Sequence, residues 1–271
     1  MKDKEPTARI YRLLDLPQET ALGERAIGTG WWEFDQIFKF YAGQFVVVSG
    51  KAGAGKTTFI LNLMLNVAGD QKDFHSMLLF VPENESHIRE KLRRMWFATR
   101  KENAEASFQH FADLQCLILS TRYSDDAPTL DWLLQQCATS IERNWTDFIL
   151  IDPWNEVERL KPKDMLLTDY IGECIVQLKD LARRYGVTVI VIAHPTKIGA
   201  EGSVTLYDIE GSANWANKAD NGLIVSSDLD KNIARVHSLK VREPDAGKIG
   251  TCHFYVDPAT GVFTPQYGAV T

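Results

Sequence analysis

Short runs of nearly unbroken apolar residues recur along the chain: Phe45-Val46-Val47-Val48-Ser49, Ser76-Met77-Leu78-Leu79-Phe80-Val81, Cys116-Leu117-Ile118-Leu119-Ser120, Phe148-Ile149-Leu150-Ile151 and Val187 to Ala193. Runs of this length bounded by turn signals predict strands covered on both faces. Between them the period changes. Ile171, Cys174, Ile175, Leu178, Leu181, Ala182 and Tyr185 repeat at three- and four-residue spacing, which predicts a helix that Gly186 ends. Phe59 to Val67 predicts an apolar helix, residues 129–143 another, and the stretch with Arg89, Lys91, Arg93, Arg94, Arg100 and Lys101 a basic one. Strands alternating with helices make this an α/β chain with a mainly parallel central sheet flanked by helices. From about residue 221 the helical signal stops, and Gly222 to Val225, Ala234 to Val241 and Thr251 to Val256, with a turn at Asp257–Gly261, predict a C-terminal β-meander.

Residues 1–26 are polar and charged, with an apolar cluster (Ile10, Tyr11, Leu13, Leu14, Leu16) ended by Pro17. They predict an arm or linker that either packs on a neighbouring subunit or is a floppy leader. Residues 27–271 form the domain. Trp31, Trp32, Phe34, Ile37, Phe38 and Phe40 are expected to pack as core against the sheet, and Gly43 turns the chain into the first strand. Two loops stand out: polar residues 155–168, carrying Lys161 and Lys163, and residues 196–212, carrying Gly199, Gly202 and Gly211. Long loops inside a compact domain are usually functional or disordered.

Composition narrows the classes. The 271 residues carry a net charge of −6, so no global basic field attracts nucleic acid, and any such contact is confined to a few loops or created by assembly. No run approaches the roughly 20 apolar residues of a membrane span, and no apolar signal segment opens the chain. Cys116, Cys137, Cys174 and Cys252 are widely spaced, which suggests buried thiols in a reducing compartment, the cytoplasm or an organelle interior, rather than zinc or disulfides.

The chemistry gathers at strand ends. Gly50-Lys51-Ala52-Gly53-Ala54-Gly55-Lys56-Thr57 lies between a strand and a helix with the spacing of a P-loop. Gly50, Gly53 and Gly55 let the backbone turn its N–H groups inward where a Cβ would obstruct a phosphate, and the new helix adds its positive end. Gly50, Ala52, Gly53, Ala54, Gly55, Lys56, Thr57 and Thr58 are the phosphate-binding set for ATP, with Lys56 reaching the β- and γ-phosphates and Thr57 holding Mg²⁺. Glu83, just beyond the second strand, is placed to orient and deprotonate water, with Glu85 as a rival that also suits a helix start. Asp152 ends Phe148-Ile149-Leu150-Ile151 in the Walker B manner, as a metal ligand, while Asp147 at the start of that strand reads as a cap. His194 ends the last buried strand, either sensing the γ-phosphate or serving as a satisfied structural histidine. Lys240 and Arg242, two apart, share one side of a strand and suit transition-state charge if a phosphate lies near. The basic helix suits DNA, a solvated face or a subunit seam.

The order Gly30-Trp31-Trp32-Glu33-Phe34-Asp35, Gly43-Gln44, P-loop, Glu83, Asp152, His194-Pro195-Thr196-Lys197, Gly211-Ser212-Ala213, Ala219-Asp220-Asn221 and Lys240-x-Arg242 resembles DnaB-like replicative helicases, closest to their Twinkle and phage primase–helicase branch. The resemblance covers about residues 27–265. It implies a RecA-like fold, a ring that is usually hexameric, and ATP at subunit interfaces, with Glu83 as base, His194 as sensor, and Lys240 and Arg242 acting on the neighbour's nucleotide. It also implies single-stranded DNA in the ring's channel, held by loops 155–168 and 196–212 through Lys161, Lys163, Lys197, Gly211 and Ser212, and a primase or other replisome partner. Glu243 stands where the family often has a base-stacking aromatic, which leaves the base contact open. With no primase, zinc-ribbon or TOPRIM-like segment in these 271 residues, the chain is expected to be the motor alone, either a fragment or a naturally short helicase. A RecA-like DNA-binding ATPase without unwinding, of recombinase or loader type, is the alternative. A non-enzymatic nucleotide switch is disfavoured by the His-Pro-Thr-Lys run and the Lys-x-Arg pair.

Overall fold

The computed structural model describes residue 13 and residues 26–68, 75–100, 103–122, 126–196 and 204–271. Among these, nine strands form one sheet: β1 (Phe45–Ser49), β2 (Ser76–Phe80), β3 (Cys116–Ile118), β4 (Thr146–Ile151), β5 (Thr188–Ile192), β6 (Asn221–Asp228), β7 (Ile233–Val241), β8 (Gly250–Val256) and β9 (Phe263–Val270). Their order is β3-β2-β4-β5-β1-β6-β7-β8-β9, parallel from β3 to β6 and antiparallel from β6 onward. Every residue of β1, β2 and β5 is buried, as the unbroken apolar runs require once both faces are covered. Strand β6 has two roles, pairing in parallel with β1 and opening the meander. The last strand, β9, lies beyond the strands expected from the sequence. Pro265 interrupts its signal and is tolerated because β9 pairs on one side only.

Helices cover both faces. On one side lie α1 (Lys56–Ala68), α2 (Glu85–Thr99) and α3 (Ala104–Leu114), packed on Val46, Val48, Leu150, Ile190 and Ile192. On the other lie α4 (Leu130–Asn144), α5 (Leu167–Tyr185) and the short α6 (Asn214–Lys218), packed on Phe45, Val47, Ile149, Ile151 and Val191. Alternate residues of each strand thus feed opposite cores, the period-two rule at work. Thr129 caps α4 by accepting the Trp132 amide, and Gly186 closes α5 at φ 69°.

The aromatic stretch before β1 folds beneath the P-loop helix. Phe34, Ile37, Phe38 and Phe40 are buried as expected, and half-buried Trp31 stacks on Phe59 at 5.8 Å. Trp32 departs from expectation at 74% exposed, because the turn at residues 31–33 points consecutive side chains in different directions and only Trp31 faces the core. Leu13 apart, the arm at residues 1–25 lies outside the described residues. No described helix is long and apolar enough to cross a membrane.

Phe59 has no exposed surface, and its ring meets Trp31, Phe34, Phe254 and Phe263. Phe59→Ala should cost about 3–5 kcal/mol in denaturant unfolding. Trp32→Ala should stay within about 0.5 kcal/mol.

Candidate nucleotide-binding site

The parallel strands end on one edge, where open α/β sheets present their ligand sites. Strand β1 is tied to that edge by the Ser49 hydroxyl, which donates to the Ala193 carbonyl at 2.6 Å. Gly50 follows at φ 146°, where a Cβ would stand 2.1 Å from the Val225 carbonyl oxygen. The first glycine is therefore required by the close approach of β6. Gly53 (φ 75°) faces open space with nothing within 4 Å of a built Cβ, which suits a cradle for phosphate.

Lys56 opens α1 and is buried. Its ammonium donates to the Gly50 and Lys51 carbonyls, both at 3.0 Å, and burial lowers its pKa against the opposing pull of Asp152. The Thr57 hydroxyl hydrogen-bonds the Asp152 carboxylate, which is only 3% exposed and keeps Oδ2 without a partner. Burial lifts the Asp152 pKa to about 6, with Thr57, Lys56 and Lys91 pulling down and Glu83 pushing up. A buried carboxylate with an unsatisfied oxygen beside a threonine hydroxyl is a hard-oxygen donor set that fits Mg²⁺.

Glu83 sits exposed in a 3-10 turn, Pro82–Asn84, directly after β2, and its charge acts on both Asp152 and His194. Glu85 begins α2 and accepts the Ser120 hydroxyl, so the rival acid has a structural task. Asp147 accepts the Ser76 amide at 3.0 Å, holding β2 to β4, and lies 3.5 Å from His75. His194 follows β5, half-buried. Its pKa is lowered by burial and then by the Lys56 charge, so the ring is neutral near pH 7. Lys56, Thr57, Glu83, Asp152 and His194 thus occupy one strand-end cluster.

Lys240 and Arg242 are not part of it. Val241 pairs with Asn221, and Asn221 with Val46, which puts them beside the start of β1. Five residues of strand, roughly 16 Å, separate that edge from the P-loop. There the Lys240 amine donates to the Ala216 and Asn217 carbonyls at 2.6 and 2.7 Å. Arg242 pairs through Nε with Asp220 Oδ1 at 2.7 Å and is otherwise exposed. Buried Asp220 also holds Lys179 at 2.7 Å and Arg183 at 3.7 Å, and accepts the Phe45 amide.

The described parts of the two loops meet beside the start of α5. Arg159 reaches Glu210 at 3.9 Å, the Thr168 hydroxyl donates to the Gly211 carbonyl, and Trp154 packs edge-on against Trp215. Lys163 is exposed, whereas Lys161 folds back onto the Pro162 and Met165 carbonyls. Gly211 abuts Ile171, where a Cβ would come within 2.4 Å of Cδ1. Ser212 is buried and accepts the Asn214 amide. Lys197 lies outside the described residues.

Two features were not legible. A cavity of about 420 Å³ opens beside the P-loop, bordered by Gly53, Thr58, Asp228, Asn232, Val256 and Pro258. Lys91 of α2, grouped from the sequence with a solvated or seam-forming helix face, turns toward the site, its amine 3.4 Å from the Thr58 hydroxyl. Its spacing from Ile88 and Met95, three and four residues, placed it on the edge of the apolar stripe and was the available signal.

The sequence model described as "AAA domain" matches residues 39–200. The chain is 26% identical to the "Twinkle homolog protein, chloroplastic/mitochondrial" of Arabidopsis thaliana, over 89% of this chain and 36% of that protein, so it spans about a third of that relative's length. A solved structure described as an ATPase domain superposes with a TM-score of 0.73 at 18% identity, covering 89% of this chain and 91% of that one. A DnaB-like replicative helicase, solved in a study of its interactions with primase, superposes at 0.71 with 17% identity, covering 88% and 61%. These likenesses show a shared fold, the RecA-like fold that the motif order implies.

Asp152 titrates near pH 6 folded and near pH 4 unfolded. Between those values the folded protein binds more protons, so stability is lost as pH rises through that window and the cost persists above it. Metal-free Asp152→Asn should therefore be more stable than wild type at pH 7.5, by on the order of 1–3 kcal/mol, with the difference vanishing near pH 4. Urea unfolding at the two pH values measures it, and equal stabilities at pH 7.5 would contradict the burial account.

Proposed function

The chain belongs to the AAA domain family, and on that footing we propose that it is the ATP-hydrolysing motor of a hexameric ring that travels 5′ to 3′ on single-stranded DNA and unwinds duplex in replication. The observation that carries this reading is the division of charged groups between two sheet edges: Lys56, Thr57, Glu83, Asp152 and His194 on one, and Arg242 with Lys240 on the other. A phosphate site whose finger lies a strand's length away is incomplete in one copy and is completed by a neighbour.

In this assignment the amides of residues 52–58 and the Lys56 ammonium bind the polyphosphate, and Thr57 with Asp152 would hold Mg²⁺. The metal would supply charge neutralisation to the polyphosphate. Glu83, exposed at the strand edge, orients water and takes its proton. Neutral His194 donates or accepts a hydrogen bond near the γ-phosphate and relays its presence through the His194 carbonyl, which accepts the Glu210 amide at 3.0 Å, to the loop ahead of α6. The neighbour's Arg242 brings its guanidinium to the charge that develops on hydrolysis, its Nε anchored by Asp220. The nucleobase takes the 420 Å³ cavity between the P-loop and the hairpin tips. Glu243, on the far edge with Arg242, is remote from its own chain's cavity.

DNA binding is assigned to the joined loops, through Lys163, Lys197 and backbone amides repeated around the ring. That arrangement suits a chain of net charge −6, since a few channel positives act many times while the outer surface repels. A primase is the proposed replisome partner.

Lys56→Ala should reduce ATP turnover at least about 100-fold by removing the main phosphate cation. A forked-duplex assay run beside single-strand-stimulated ATPase tests the motor reading. Unwinding that requires a 5′ tail is expected. Stimulated ATPase with no unwinding would replace it with a DNA-binding ATPase of recombinase or loader type.

A further inference from the structure

Lys91 is a cation at the site to which nothing above gives a task. It lies six residues into α2, the helix that begins just after the Glu83 turn. Helical side chains lean toward the N-terminus, so its stem runs back over Ile88 toward the strand edge. Ile88, Leu92 and Met95, its neighbours on the helix, are all buried, and Lys91 itself is half-buried. Its amine meets the Thr58 hydroxyl at 3.4 Å.

The Thr58 backbone is tied to its surroundings by Asn62. Asn62 donates to the Thr58 carbonyl at 2.7 Å and to the Gly261 carbonyl at 2.9 Å, and accepts the Phe263 amide at 3.1 Å. Gly261 leaves the room: a Cβ there would stand 3.2 Å from Thr58 and 3.3 Å from Met95. Helix α1, helix α2 and the β8–β9 turn therefore lock together around the Thr58–Lys91 contact, on the border of the cavity beside the P-loop.

Two other cations of that helix have carboxylate partners. Arg93 pairs with Glu105 at 3.4 Å and Arg94 with Glu90 at 3.9 Å. Among the described residues Lys91 has no carboxylate within ion-pair distance, only a neutral hydroxyl. Burial pulls its pKa down, and Asp152 is the foremost group opposing that pull. A partly desolvated ammonium satisfied by one long hydrogen bond is a cost to the fold, and an anion entering beside Thr58 would offset it.

We propose that Lys91 is a second lysine for the nucleotide's polyphosphate, delivered by α2 to the Thr58 side of the P-loop while Lys56 serves the opposite side. The assignment rests on the P-loop reading. It makes the helix that follows the Glu83 turn respond to nucleotide, since its own side chain grips the phosphates.

The test is ATP binding by calorimetry and ligand-free thermal melting, on the full chain carrying Lys91→Met, Lys91→Arg or Lys56→Ala. Lys91→Met should weaken ATP binding roughly 10- to 100-fold, with and without Mg²⁺, as expected for a lost charge-assisted hydrogen bond. Its ligand-free melting temperature should be equal to or above wild type, because an unpaired ammonium has gone. Lys91→Arg should keep most of the affinity. Three results would overturn the proposal: Lys91→Met binding ATP within about twofold of wild type, a loss seen only with Mg²⁺, or a loss accompanied by lower ligand-free stability. If Lys56→Ala also binds ATP normally, the fault lies with the P-loop assignment itself.

Discussion

The structure turns on where charge is allowed to sit without water. Asp152 is a carboxylate almost wholly removed from solvent with one oxygen unsatisfied, and Lys56 and Lys91 are amines partly stripped of water around it. Such groups are expensive in isolation and become favourable only when opposite charge completes the set. They persist because the strands and helices beneath them are buried on both faces and cannot relax. The aromatic floor under α1, from Trp31 to Phe263, has the same purpose: it fixes the helix whose first residues are Lys56 and Thr57.

A second charged centre stands at the other end of the same sheet, solved differently. Asp220 is equally buried but saturated, with Lys179, Arg183, Arg242 and a backbone amide around it. It is a finished structural knot, and Arg242 is fixed to it by one side of its guanidinium while the rest remains exposed. One edge is thus rich in unsatisfied groups and the other offers an anchored cation. Both sit on β1 and its neighbours, so their separation is set by strand length.

Much of this was legible in the chain. The doubly buried strands announce themselves as apolar runs, and the P-loop, Asp152 and His194 fall at their ends because strand ends are where polar residues resume. What escaped has physical reasons. Gly50 serves a strand contact that no local pattern encodes, since Val225 is remote in sequence. Strand β9 was masked by Pro265, harmless on an edge. Trp32 was expected inside because composition does not reveal which way a tight turn points. Lys91 was hidden among the other basic residues of its stretch, and only tertiary packing singles it out. Lys161, expected to face DNA, is consumed by its own loop's carbonyls.

If one copy's strand-end cluster is completed by another copy's Arg242, mixing Arg242→Ala with Glu83→Ala chains tests it most directly. Each variant alone should be inactive in ATP hydrolysis while still binding nucleotide. Mixed assemblies contain interfaces that join an intact Glu83 site to an intact Arg242, and should regain a clear fraction of wild-type turnover. Mixtures no more active than the separate variants, under conditions where mixed assemblies form, would contradict the claim and confine the site to a single chain.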